Sequence, residues 1–404
     1  MANGARFREV CLDCGWVHAE RGQRHRCRAC NGIMEAQYDL AQVRIYDDEA
    51  RAVLRYRDLL PIRDPSLLVT LGAGNTPTIH AKALGRLFGL EHLYLKDETK
   101  NPTGTTKDRP AEVVLSACLE RGVTHLCSAA TGNSSTAFAV ASIATPPFEH
   151  TCFIGSRWKK RLSFPAHPRI HVHILEDGTV ADTTAVKRTW EKANGVPPEG
   201  GFFNVARREG LKLAFLEAVD QTGVTFDWYV QGVSTGMGVY GVYRGAQQYV
   251  GLGRLRHAPR LCCVQESVCD PHVRAFRDGS KAMKPEHTIA NPEPGVADAL
   301  QKGDAGDNYP YLRNIVIESG GTYVSVDSGA ITSARRALLE YEGVEACGAG
   351  ATPVAAVAEL ARRGVIDPKA HVLLNISGRE RDPSLACPEH TTWRKDAAGT
   401  WVQV

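Results

Sequence analysis

What this 404-residue chain lacks narrows its chemistry before anything it contains. It has no apolar run of about eighteen residues, so no membrane-crossing helix is expected. Its formal net charge is only +3, which argues against a general nucleic-acid or membrane surface. The first ten residues hold no apolar core of the kind a secretory signal needs. No lysine follows its glycine-rich segment as a P-loop would require, and the glycine spacing departs from the dinucleotide-binding fingerprint. These absences lead to the expectation of a cytoplasmic protein that handles a small molecule, without a membrane or nucleic-acid partner.

Cysteine is present in number, with twelve residues, and its arrangement decides how to read it. Four fall into two CxxC units, Cys11-Leu12-Asp13-Cys14 and Cys27-Arg28-Ala29-Cys30, with twelve residues between them. Two tight turns that each present two sulfurs are what tetrahedral zinc needs. A segment this short cannot build its own apolar core, so the metal would supply its stability. Disulfides or free thiols are the alternative, but the remaining cysteines are scattered through apolar surroundings, as in a reduced protein. His18 and His25 lie between the knuckles and are surplus to a four-thiolate site, which leaves no open position for catalysis.

The most suggestive stretch is Asn101-Pro102-Thr103-Gly104-Thr105-Thr106-Lys107-Asp108-Arg109. It follows an alternating run, 92–96, that reads as a strand. It precedes helical periodicity over 111–121. A lysine at a strand–loop–helix corner meets the unsatisfied N–H groups of a helix N-terminus, which lower an amine's pKa. That is the setting a reactive lysine needs. A second corner follows: strand 124–128, the small-residue loop Thr131-Gly132-Asn133-Ser134-Ser135, and a helix over 137–143. Further strands are expected at 150–154 and 169–175, with a helix at 181–194. Beyond a helix at 211–222 and a strand at 227–231 comes Ser234-Thr235-Gly236-Met237-Gly238, then another helix. Strand, glycine loop and helix in that order can cradle a phosphate. Residues 278–314, rich in Pro, Gly and charge, read as an excursion bordering a site. Strand 371–376 delivers Ser377-Gly378-Arg379, and the last twenty residues read as a polar tail with one short strand. Strands alternating with helices imply an α/β fold with mostly parallel sheets.

Together these features resemble the fold-type II pyridoxal-phosphate enzymes, the tryptophan synthase β-like group. The paired CxxC units and the Asn-Pro-Thr-Gly-x-x-Lys-Asp-Arg stretch are similar to threonine synthase and its relatives, from Cys11 to about Asp382. The resemblance implies two open, mostly parallel sheet domains with flanking helices plus the zinc ribbon. The expected boundaries are 1–40 for the ribbon, 41–110 with 200–404 for a large cofactor-binding domain, and 111–199 for a small α/β domain. It implies a pyridoxal-phosphate-dependent lyase, a homodimer, with pyridoxal 5′-phosphate and a structural Zn2+ at Cys11, Cys14, Cys27 and Cys30. Lys107 would form the Schiff base and later shuttle protons. Asn133 would hydrogen-bond the cofactor's 3′-oxygen. Ser234, Thr235, Gly236, Met237 and Gly238 would hold its phosphate, and Ser377 would contact the pyridine nitrogen. Thr131, Gly132, Ser134 and Ser135 would surround the substrate carboxylate, with Arg379 also on the substrate side. A serine hydroxyl cannot protonate the ring as a carboxylate can, which moderates the electron sink and suits elimination and replacement. Asn133 could equally cap its helix.

The chain also departs from the threonine synthase pattern. Thr105-Thr106 stands where that family has Ser-Phe. Ser-Thr-Gly-Met-Gly is closer to a cysteine-synthase loop. The ending Asn375-Ile376-Ser377-Gly378-Arg379 is similar to cysteate synthase. The substrate is therefore an O-phospho amino acid of unassigned length. O-phosphohomoserine would give threonine, and O-phosphoserine with sulfite would give cysteate. A threonine or serine dehydratase is a further alternative. The leaving phosphate needs a second anion site, for which Arg157, Lys159, Lys160, Arg161, Arg207, Arg208 and Arg379 are candidates. A zinc ribbon reading nucleic acid through Arg21, Arg24, Arg26 and Arg28 is the competing class, opposed by the low net charge.

Overall fold

The computed structural model describes residues 6–18, 25–304, 306–382 and 390–404. The chain forms two compact units. One comprises Met1–Gly74, Lys107–Gly210 and Arg381–Val404, and the other Asn75–Thr106 and Leu211–Glu380.

The first unit opens with a three-stranded antiparallel sheet, in which Phe7–Cys11 lies between Val17–His18 and Met34–Tyr38. Its small core of Phe7, Met34 and Ala36 also takes in Val205, from the start of a long helix, Val205–Thr222. Arg208 on that helix donates to the carbonyl of Met34, and the Tyr38 hydroxyl donates to Glu209 at 2.6 Å. The expected ribbon is therefore tied to the helix by apolar contact and by buried polar bonds. The region 41–70, which reads in the sequence as helical and then irregular, forms a short helix, Ala52–Arg55, and 3-10 turns.

The same unit holds a five-stranded sheet. His125–Ala129, Glu149–Gly155, Ile170–Leu175 and Thr391–Lys395 run parallel, and Trp401–Gln403 is antiparallel at the edge. Alternation along Glu149–Gly155 sends Cys152 and Ile154 to the face of Ala139, and Phe153 to the opposite face with Val186. Helices Asn133–Ala144 and Val180–Asn194 thus cover opposite faces. The last residues are not a polar tail with a single strand. They form two strands, the first paired with residues more than two hundred positions earlier and locked by Trp393 Nε1 donating to His173 at 2.9 Å.

The second unit is a six-stranded sheet, in the order Thr322–Val326, Arg260–Glu266, Trp228–Gly232, His371–Ile376, His92–Asp97, Thr78–His80. All neighbours are parallel except the Thr78–His80 edge. Leu84, Ile331, Leu338, Val354 and Leu360 pack on one face with Val230 and Leu374. Tyr229 points to the other face, where Phe215 meets it edge-on. Central strands buried on both faces explain their nearly continuous apolar sequence. The 278–314 excursion is 3-10 turns and the start of helix Tyr309–Glu318, with Tyr309 fully buried. Among the described residues, no helix is long and apolar enough to cross a membrane.

Candidate active site

In an open α/β sheet, ligands bind beyond the carboxyl ends of the strands. The register of the second unit aligns three such ends. Ile376 pairs with Asp97, and Leu374 pairs with Val230, two residues before the end of Trp228–Gly232. From these ends leave the segments that lead to Lys107, to Ser377 and to Ser234.

The first and second of these segments are sewn together. Thr105 bridges Gly378, the Thr106 N–H donates to the Ser377 carbonyl at 2.9 Å, and the Arg379 N–H donates to the Gly104 carbonyl at 3.0 Å. Lys107 is the next residue in the chain. Ser377 keeps part of its surface accessible, while the exposed Arg379 side chain lies over Gly104.

The loop after Trp228–Gly232 leads into a helix N-terminus. Gly236 caps helix Met237–Gly251 with φ +78, and a Cβ there would lie 2.1 Å from Leu312 Cδ2. The first-turn N–H groups of that helix have no helical partner and point out of its end. The loop carbonyls are held from behind. Asn308 Nδ2 donates to Thr235 O at 2.7 Å, and Gln265 Nε2 reaches Val233 O at 3.5 Å. Buried His272 faces the Ser234 backbone, and its Nα–H donates to Gln265. Burial pushes the His272 imidazole down to about 3, so it stays neutral. With its carbonyls occupied, the loop can turn N–H groups toward a phosphate.

In the first unit, Lys107 caps helix Asp108–Glu120, which begins three residues before the periodicity suggests. Burial, and after it the Arg207 guanidinium, lower the Lys107 amine from 10.5 to about 8. Arg207 is itself buried, paired with Glu199 at 2.8 Å and set over the Phe138 ring. Gly210 lets its helix approach closely, since a Cβ there would sit 2.7 Å from Pro110 Cα.

Thr131 to Ser135 form the turn into Asn133–Ala144. Gly132, not Asn133, is the cap, with φ +105 and no room for a Cβ beside Arg161. Asn133 Oδ1 accepts from Arg161 at 3.1 Å and from Arg381 at 2.6 Å. Ser135 Oγ is 3.0 Å from Ser128 Oγ, which meets His150 Nε2 at 2.9 Å. Burial takes His150 down to about 3, so the ring is neutral. Among the other basic candidates, Arg157 and Lys160 are exposed, Lys159 lies 3.4 Å from His390, and Arg208 is spent on the ribbon. Arg161 is the cation of the 157–161 run that turns inward, as Trp158 does. The ribbon's Arg21 and Arg24 lie outside the described residues. Arg26 covers the Phe203 ring at 3.5 Å rather than facing outward. Sequence reasoning missed Arg381, Asn308, Gln265 and His272. None of the four sits in a motif, and their partners are distant in sequence.

The four knuckle sulfurs all lie within 4.8 Å of one another, with Cys11–Cys30 at 3.5 Å and Cys14–Cys27 at 3.6 Å. These separations exclude disulfides, which need about 2.05 Å. They suit a tetrahedron with metal–sulfur bonds of about 2.3 Å, whose edges are roughly 3.8 Å.

A parallel sheet with helices on both faces, a lysine at a strand–helix corner and a glycine loop opening a helix are the features of an α/β enzyme of the pyridoxal-phosphate type. The family profile described as "Pyridoxal-phosphate dependent enzyme" matches residues 69–378. The chain belongs to that family, as a lyase whose cofactor is pyridoxal 5′-phosphate. A threonine synthase of Methanosarcina acetivorans is 30% identical over 88% of this chain and 87% of its own length. A cysteate synthase of Methanospirillum hungatei is 27% identical over 86% and 84%. Maize serine racemase shares the fold, at 18% identity and a TM-score of 0.62 over 76% of this chain and 89% of that one.

Proposed function

We propose that this enzyme eliminates phosphate from an O-phospho amino acid and adds a nucleophile, in the manner of threonine synthase, with O-phosphohomoserine and water as the reactants. The observation that carries the proposal is Lys107, a half-buried lysine whose amine is lowered to about 8 at the corner where the family's lysine is expected. An amine poised near neutrality can serve as both base and acid at one carbon.

Bound pyridoxal phosphate supplies the electron sink that acidifies the substrate's Cα–H. Lys107 would hold the cofactor, and its amine would take and return the proton at the substrate's Cα. The N–H and hydroxyl donors of Thr131, Gly132, Ser134 and Ser135 bind the substrate carboxylate. Asn133 donates to the cofactor's ring oxygen. Ser234, Thr235, Gly236, Met237 and Gly238 bind its phosphate. The Ser377 hydroxyl would face the ring nitrogen, and an alcohol is too weak an acid to protonate it. Arg161, buried beside Thr131 and Asn133, is the guanidinium best placed for the departing phosphate. Zinc on Cys11, Cys14, Cys27 and Cys30 holds the ribbon that braces the Arg207 helix. The enzyme works as a cytoplasmic homodimer, with no nucleic-acid partner.

A second reading, replacement of the phosphate of O-phosphoserine by sulfite, draws support from the Ser377-Gly378-Arg379 ending and from likeness to several cysteate synthases. Phosphate release separates the two. O-phosphohomoserine alone should release phosphate and yield threonine. Release from O-phosphoserine only when sulfite is present would favour the second reading. No release from either substrate would sink the phospho-amino-acid proposal.

A further inference from the structure

An asparagine amide presents an acceptor on one side and a donor on the other, and a flip exchanges them. A guanidinium only donates. Both Arg161 Nη2, at 3.1 Å, and Arg381 Nη2, at 2.6 Å, converge on Asn133 Oδ1. A flipped amide would set its NH2 against two cationic donors, so one orientation is fixed.

The clamp is itself braced. Arg161 Nε donates to the Thr131 carbonyl at 3.0 Å. Its own carbonyl accepts from Arg381 Nη1 at 2.9 Å and from Thr136 Oγ1 at 3.3 Å. A Cβ on Gly132 would lie 2.6 Å from Arg161 Cβ, so the loop and the arginine fit only with glycine there.

We propose that Arg381 is a positioning residue that, with Arg161, commits the Asn133 NH2 group to donate to the cofactor. Two cations on the amide oxygen also polarise the group and strengthen its N–H donors. A charge-assisted bond from Nδ2 to an anionic ring oxygen follows. The inference rests on the reading that Asn133 faces the cofactor. Arg381 adds to it a residue from the far end of the chain, one that acts through Asn133.

The test is a double-mutant cycle read as the affinity of the apoenzyme for pyridoxal phosphate, by absorbance titration and without turnover. Asn133→Ala should weaken binding roughly tenfold or more, the range of a hydrogen bond to a charged group. Arg381→Met should weaken binding about fivefold or more in the natural background and by less than about twofold in Asn133→Ala, because contacting residues couple. Should Arg381→Met fail to fold, Arg381→Gln, which removes the charge and the forked donor, enters the same cycle. An equal loss in both backgrounds, or no loss in either, overturns the proposal. If Asn133→Ala alone leaves affinity unchanged, the reading of Asn133 falls and takes the proposal with it. If Asn133→Ala weakens binding while Arg381→Met does not, only the clamp is wrong.

Discussion

Titrating the Lys107 amine in the apoenzyme puts a number on the environment that the fold builds for it. An ordinary lysine near 10.5 offers roughly one free amine in three thousand at pH 7. At about 8, the value burial and Arg207 give Lys107, about one in eleven is free. The gain is roughly 300-fold in nucleophile at constant reactivity. The second-order rate of cofactor uptake by the apoenzyme, followed by absorbance from pH 6 to 10.5, should therefore rise tenfold per pH unit and level off near pH 8. Arg207→Gln removes the lesser of the two causes. It should move the midpoint upward by less than half of the total depression, because burial is the larger cause. A midpoint at 10 or above in the natural protein would refute the reasoning. A midpoint in Arg207→Gln that climbs the whole way to 10.5 would show that charge, not burial, does the work.

The depressed amine also bears on stability. The unfolded chain holds the Lys107 proton between pH 8 and 10.5 while the folded chain has lost it, so stability rises with pH through that window and the full penalty is present below pH 8. Lys107→Met should accordingly stabilise the apoenzyme at pH 7 by about 1–3 kcal/mol, discounted for residual exposure, with the difference gone by pH 10.5 in denaturant titrations. Gly236→Ala forces a side chain into φ +78 and against Leu312, and should both lower the melting temperature and weaken cofactor binding about tenfold. Chelation, or Cys14→Ser, should melt the ribbon. Because the ribbon core shares Val205 with the Arg207 helix, it should also lower cofactor affinity, measured with zinc content on the same samples. An unchanged far-ultraviolet spectrum after complete metal removal would contradict that coupling.

Much of this architecture is local and so could be read from the sequence. The paired CxxC units, the buried strand 371–376 and the three strand–loop–helix corners are each written within about thirty residues, and each forms as expected. Helix starts were less legible. Asp108–Glu120 and Asn133–Ala144 begin before their apolar periodicity, since first turns carry polar residues that bind ligands or caps. Long-range pairing was not legible at all. Thr391–Lys395 reads as polar because it joins the sheet near its edge, and by the Thr391–His173 register its partner strand lies 218 residues earlier. Arg381 was invisible for the same reason, as only the folded chain brings it to Asn133.

The most direct test of the central claim is to reduce the cofactor-loaded enzyme with borohydride and map the modified peptide by mass spectrometry. The account predicts a single pyridoxyl adduct on Lys107, lost in Lys107→Ala together with the visible absorbance band. An adduct on another lysine, or a cofactor that leaves freely after reduction, would contradict it.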